Sequence, residues 1–187
     1  MLRILLVVTL IVSLPSKVIG QGSYPAQTNA CEVDSDTLFV CGLTNPEDLY
    51  RVPNTDWVIA SGRISDSEGP IYAVHISGHQ VEHIYPANAA APSFDRVTYQ
   101  ECSGPIRIFQ PHGLTLRQGS NDQHTLYVVG HGTREAIEVF NLDVSASVPS
   151  LTWIGCIPAP EGTRRINSIT ALPDGYFGAT NFDRAGG

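Results

Sequence analysis

The 187-residue chain has 11 basic and 18 acidic side chains and a formal net charge of −7 at pH 7. An acidic chain repels polyanions, so nucleic acid and anionic lipid surfaces are excluded as expected partners. The length is that of one ordinary domain.

Residues 1–20 have the pattern of a secretory signal peptide. Arg3 supplies a positive start, Ile4–Leu14 is almost entirely apolar, and Val18-Ile19-Gly20 offers a cleavage site before Gln21. The apolar run is shorter than the roughly 20 residues that span a bilayer, so no membrane span is expected. We therefore predict a secreted or periplasmic protein in which residues 21–30 form a flexible lead-in.

Export would place the cysteines in an oxidising compartment, where structural disulfides persist. Four cysteines allow three full pairings, and their positions do not choose among them. We expect one or two disulfides rather than free thiols, and no zinc knuckle because the sequence has no CxxC. The candidates are Cys31, Cys41, Cys102 and Cys156.

The remaining sequence predicts short β-strands separated by turns, with no sustained helical period, so the fold class is all-β. Asn88–Gly104 is rich in small and turn residues and predicts a long loop pinned by Cys102. Trp57 and Trp153 lie in apolar runs and are expected in the core. The predicted strands are Asp36–Gly42, Leu49–Val52, Trp57–Ser61, Ile71–Ile76, Gln80–Ile84, two within Pro111–Gly132, Ala136–Leu142, Leu151–Ile157 and two within Ile166–Asn181.

Two histidines mark the ends of the central predicted hairpin, Pro111–Gly132. His112 precedes its first apolar run, and His131 closes its second, 19 residues later. Pairing of the two runs would return both imidazoles to the same edge of the sheet. Two imidazoles that titrate near neutral pH can relay a proton. The alternative is that each histidine caps its strand and bonds locally.

A similar unit of polar start, apolar strand, turn and second strand occurs three times. The units begin at Glu47, His112 and Asn167, which are 65 and 55 residues apart. This spacing approaches the period of about 40 to 50 residues for propeller blades, once loop insertions are allowed. First strands of blades converge on a central channel, so these three residues would meet there. Carboxylate and amide oxygens suit calcium; the alternative is that each residue caps its turn and binds no metal.

Three units leave a propeller open, because closure takes about four to eight blades. Residues 31–187 are therefore expected to form the N-terminal part of a β-propeller domain, covering about three blades. We expect the chain to be a fragment of a longer protein, the alternative being a chain that pairs with another.

Several motifs together resemble the paraoxonase/arylesterase branch of the six-bladed propellers. They are PEDLYRVPNTDWVIASG, PHGL followed nineteen residues later by the histidine of VVGHG, AIEVFNLD, and INSITALPDGYFGATN. The resemblance covers Cys41–Asn181 in order. The same superfamily includes gluconolactonase-like and strictosidine synthase-like proteins.

The resemblance implies a calcium-dependent hydrolase. In paraoxonases a calcium ion in the central channel polarises a lactone or ester carbonyl, and a histidine pair is proposed to activate water. By this resemblance Glu47 and Asn167 match two ligands of the catalytic calcium, and His112 and His131 match the histidine pair. The remaining ligands of the family, two asparagines and an aspartate, would lie in further blades.

The family's second, structural calcium is matched less well. Asp48 corresponds to one of its ligands, but Ser168 stands where the family has an aspartate. The substitution removes a charged ligand from that ion.

The predicted function is therefore an exported, calcium-dependent hydrolase of small-molecule lactones or aryl esters. One alternative is a non-catalytic secreted propeller that binds a ligand or protein through its channel face. The other is a sugar-lactone hydrolase of the gluconolactonase type that does not need the histidine pair.

Overall fold

A computed structural model describes residues 39–163 and 165–182. The predicted signal peptide, the lead-in and Cys31 lie outside these residues. All regular structure in the described part is β apart from one 3-10 turn, which confirms the all-β prediction. The strands are β1 (Pro46–Arg51), β2 (Trp57–Gly62), β3 (Ile71–His75), β4 (Gln80–Tyr85), β5 (Phe109–Arg117), β6 (Gln123–Gly132), β7 (Ala136–Asp143), β8 (Ser150–Pro158), β9 (Ile166–Ala171) and β10 (Phe177–Asn181), and the 3-10 turn is Pro173–Gly175.

The strands form three antiparallel sheets that follow one another along the sequence. Their orders are β1-β2-β3-β4, β5-β6-β7-β8 and β9-β10. The first strands of the sheets are neighbours, because β5 contacts both β1 and β9. The first strands of the three sequence units are therefore adjacent, with β5 between β1 and β9.

The predicted strand Asp36–Gly42 is wrong over its described part, because residues 39–43 form no strand. Gly42 has a φ of 94°, a left-handed conformation that interrupts extended backbone. Val40 and Leu43 instead pack against the outer face of the first sheet. Residues 36–38 lie outside the described part.

Apolar side chains fill the space between neighbouring sheets. Trp153, Phe109 and Phe140 belong to the cluster that joins the first two sheets, and Trp153 is only 1% exposed. Trp57 is 8% exposed in the same cluster, so both tryptophans are core residues as predicted. A second cluster, which includes Ile137 and Ile169, joins the second and third sheets. The second sheet is thus covered on both faces. Most side chains on each of its two faces are therefore apolar.

The core also contains a buried ion pair. Glu138 on β7 is fully buried, and its carboxylate accepts hydrogen bonds from Arg134 Nε and Nη2, each at 2.7 Å. Trp153 Nε1 donates to the same carboxylate at 2.8 Å. Arg134 Nη1 reaches the carbonyl oxygen of Gly104 at 2.7 Å. The pair thus connects β7, β8 and the loop that precedes β5.

A disulfide holds the long loop against β8. Cys102 is bonded to Cys156, 54 residues later, which confirms that Cys102 pins the loop. The ring of Tyr99 lies directly over Gly155, where a Cβ atom would come within 2.2 Å of the ring. Cys41 is also disulfide-bonded. No helix in the described ranges combines the length and apolar character needed to cross a membrane.

Candidate functional site

The hairpin β5–β6 brings His112 and His131 together. Gln110 lies opposite His131, and the register then shifts between Pro111 and Leu114, so that the intervening residues form a β-bulge. The bulge places His112 Nδ1 3.1 Å from His131 Nε2. A bulge is a common way to direct a side chain away from regular pairing. The prediction that the two imidazoles share one edge is confirmed.

A carboxylate stands at each end of this pair. Glu47 Oε2 on β1 lies 3.3 Å from His112 Nε2, and Glu135 Oε2 lies 2.7 Å from His131 Nδ1. We call these four residues the histidine network. The side chain of His112 is 16% exposed and that of His131 only 5%, so His112 is the member of the pair that solvent and small molecules reach more easily.

Glu135 was not predicted from the sequence. It lies four residues after His131, in the short connection between β6 and β7, where a polar residue is ordinary. The sequence does place this carboxylate close to a candidate histidine. Whether the two side chains meet depends on the conformation of the connection, which the sequence pattern does not give.

Asp48 and Ser61 hold the bulge in place. Asp48 Oδ2 accepts the backbone N–H of Leu114 at 2.8 Å, and Asp48 Oδ1 accepts that of Leu49 at 2.8 Å. Ser61 Oγ donates to the carbonyl oxygen of His112 at 2.5 Å and accepts the backbone N–H of Asp48 at 3.1 Å. The first sheet thus supports the backbone on both sides of Gly113.

Gly113 allows β9 to approach the network. A Cβ atom on Gly113 would lie 2.4 Å from the carbonyl oxygen of Asn167 and 2.8 Å from Cα of Ser168. Real Cβ atoms do not come so close, so only glycine permits this contact. The predicted site residues Glu47, His112 and Asn167 therefore lie at one junction of the three sheets.

The junction favours the neutral form of His112. Burial lowers the pKa of His112 below its ordinary value, and the positive charges of Arg63 and Arg165 act in the same direction, as does His131. Glu47 opposes them by favouring the imidazolium. A neutral imidazole has a free lone pair, which a general base requires.

The described residues supply few of the ligands that the resemblance implies for calcium. Glu47 offers a carboxylate and Asn167 an amide oxygen, whereas calcium takes about six to eight oxygen ligands. Glu47 Oε1 also accepts a hydrogen bond from Asn45 Nδ2 at 3.1 Å. Within the part of the chain that the structure describes, no three His, Cys, Asp or Glu side chains are grouped to hold a metal ion. Both oxygens of Asp48 already accept backbone N–H groups, as described above.

An apolar cavity of about 320 Å³ lies beside the network but does not include it. It opens between the second and third sheets and is lined mainly by aliphatic and aromatic side chains, including Ile137, Ile157 and Phe177. With no titratable group of the network in its wall, the cavity offers packing space rather than chemistry.

Comparison of the chain with protein-family models finds no match, and comparison with curated proteins finds none either. The paraoxonase-like resemblance therefore stays a prediction from motifs.

Proposed function

We propose that the protein is an exported hydrolase of lactones or aryl esters in which the histidine pair activates water. The observation that carries the proposal is the 3.1 Å contact between His112 Nδ1 and His131 Nε2, with a carboxylate at each end of the pair. Two coupled imidazoles can accept a proton and share its charge, and the carboxylates stabilise the resulting cation.

His112 is the group that takes the proton. It is the more exposed imidazole, and its lowered pKa keeps it neutral near pH 7. Water attacks the carbonyl carbon while Nε2 of His112 accepts its proton. The tetrahedral intermediate then expels the alkoxide or phenoxide as the C–O bond breaks, and the proton returns to the leaving group. Such general base catalysis contributes about 10²–10⁴-fold to a rate.

A propeller is the architecture we propose around this site. Support comes from three sheets in sequence order whose first strands, β1, β5 and β9, are neighbours. In a propeller the first strands line the channel, which would place the network at one channel mouth. The disulfide between Cys102 and Cys156 is consistent with export to an oxidising compartment.

Calcium enters the proposal through the resemblance. Glu47 and Asn167 would supply two of its ligands, and the others would come from further blades. When bound, the ion would polarise the substrate carbonyl and stabilise negative charge on its oxygen.

Hydrolysis assays on the full-length protein test the proposal. Phenyl acetate and a δ-lactone serve as probes, with and without a calcium chelator, and His112→Gln is compared with the wild type. We expect the variant to lose about 10²–10⁴-fold in kcat. His79→Asn is a matched control, because His79 lies in a left-handed turn position, with φ of 50°, outside the network.

Two results would contradict the proposal. Lactone hydrolysis that His112→Gln leaves intact would favour the gluconolactonase-type reaction without a histidine base. No hydrolysis of either probe by the intact protein, with calcium present, would favour a propeller that binds a ligand or protein without catalysis.

A further inference from the structure

The carboxylate of Glu135 connects two parts of the molecule. Oε2 lies 2.7 Å from Nδ1 of His131, and Oε1 accepts the backbone N–H of Ile166, the first residue of β9, at 2.5 Å. The carbonyl oxygen of Glu135 also accepts the N–H of Ala159 at 3.0 Å. Both side-chain oxygens and the backbone are thus engaged, so the carboxylate has a fixed position.

This position determines which nitrogen of His131 carries a proton. An ionised carboxylate only accepts hydrogen bonds, so Nδ1 of His131 must be the donor. A neutral imidazole has one N–H, which leaves Nε2 of His131 as an acceptor. Its partner at 3.1 Å, Nδ1 of His112, must then be a donor. Nε2 of His112 is consequently the unprotonated nitrogen of the pair.

We propose that Glu135 is a positioning residue that fixes His131 as its Nδ1–H tautomer and so sets the direction of the hydrogen bond between the two histidines. The lone pair on Nε2 of His112 then faces Oε2 of Glu47 at 3.3 Å. Two acceptors cannot bond to each other, so each is left to accept a hydrogen bond from another donor, such as a water molecule. The catalytic meaning of this arrangement rests on the proposed function, whereas the tautomer does not.

The contact with Ile166 makes the proposal testable with one substitution. A backbone N–H can only donate, so in Glu135→Gln the amide oxygen must face Ile166 and the NH₂ group must face Nδ1 of His131. Nδ1 then becomes an acceptor and the proton moves to Nε2. The hydrogen bond to His112 reverses, and Nε2 of His112 becomes protonated. The substitution keeps the shape of the side chain and reverses the direction of the hydrogen bond between the two histidines.

The measurement is NMR of the full-length protein labelled with 15N-histidine, at about pH 8, above the ordinary imidazole pKa of about 6.5. Protonated and unprotonated ring nitrogens have well separated 15N shifts, and His131→Gln assigns the signals. We expect the Nδ1–H tautomer for His131 in the wild type and the Nε2–H tautomer in Glu135→Gln. An Nε2–H tautomer in the wild type would overturn the proposal even if the variant did not fold.

An unchanged tautomer of His131 in a folded Glu135→Gln variant would overturn the proposal as well.

Hydrolysis kinetics separate this proposal from the proposed function. We expect Glu135→Gln to lower kcat by about 10²–10⁴-fold with little change in KM, because the base is protonated while substrate contacts are kept. Glu101→Gln, at an exposed position in the long loop, is the matched control and should keep both constants. An inactive wild type would refute the hydrolase, and the NMR experiment would still decide the role of Glu135.

Discussion

Replacement of Arg134 by methionine should be among the most destabilising single changes in the second sheet. The substitution keeps much of the apolar stem but removes the countercharge of Glu138, whose side chain is fully buried. Of three donors to that carboxylate, only Trp153 Nε1 would remain. An unpaired buried charge costs about 3–5 kcal/mol when its partner is removed. We therefore expect Arg134→Met to lower the free energy of unfolding by about that amount.

Urea unfolding monitored by tryptophan fluorescence, with disulfides intact, measures this loss. Arg107→Met is the matched control, because Arg107 is exposed and a surface substitution changes stability by about 0.5 kcal/mol or less. The double variant Arg134→Met/Glu138→Gln should recover most of the loss, since the amide has no charge and its oxygen still accepts the N–H of Trp153. A loss below about 1 kcal/mol for Arg134→Met would refute the reasoning that the charge of Glu138 depends on this partner.

Three further outcomes are expected. Gly113→Ala should destabilise the protein by about 1–3 kcal/mol and lower hydrolysis, because its Cβ atom would lie 2.4 Å from the carbonyl oxygen of Asn167 and push β9 away. Urea unfolding measures the loss of stability and phenyl acetate hydrolysis the loss of activity. Full activity of the variant would contradict this prediction. The value of kcat/KM should fall on acidification with a midpoint below the ordinary histidine pKa of about 6.5, because burial lowers the pKa of His112 and only its neutral form accepts a proton. A midpoint above that pKa would count against His112 as the base. Removing the disulfide in Cys102→Ser/Cys156→Ser should lower the free energy of unfolding by about 4 kcal/mol, the loop-closure value for a separation of 54 residues. An unchanged midpoint of thermal unfolding would contradict this prediction.

The hairpin could be predicted because its signals are local. Alternating apolar residues, the polar turn and the glycines beside His112 and His131 all act within about twenty residues, so pairing followed from the pattern. The meeting of Glu47 with His112 was predicted from repeated units whose first strands converge. Both depend on periodicity, which a single sequence displays directly.

Other features depend on backbone conformation that the pattern does not contain. The apolar run before Gly42 has strand composition, but the left-handed φ of Gly42 and the packing of Val40 on the first sheet decide otherwise. Glu135 lies in a polar connection whose composition predicts only a turn. Its role depends on the distance from its carboxylate to His131, which the chain reaches only through the folded path between β6 and β7.

The connection from β6 into β7 serves the reactive site and the core in turn. His131 and Glu135 belong to the histidine network, while Arg134 and Glu138 form the buried ion pair. Neighbouring residues that share a backbone segment do not contribute additively to free energy. Double-mutant cycles that combine one member of each pair should therefore show coupling energies. Arg134→Met, which disturbs this segment, should lower activity as well as stability, although Arg134 lies outside the histidine network.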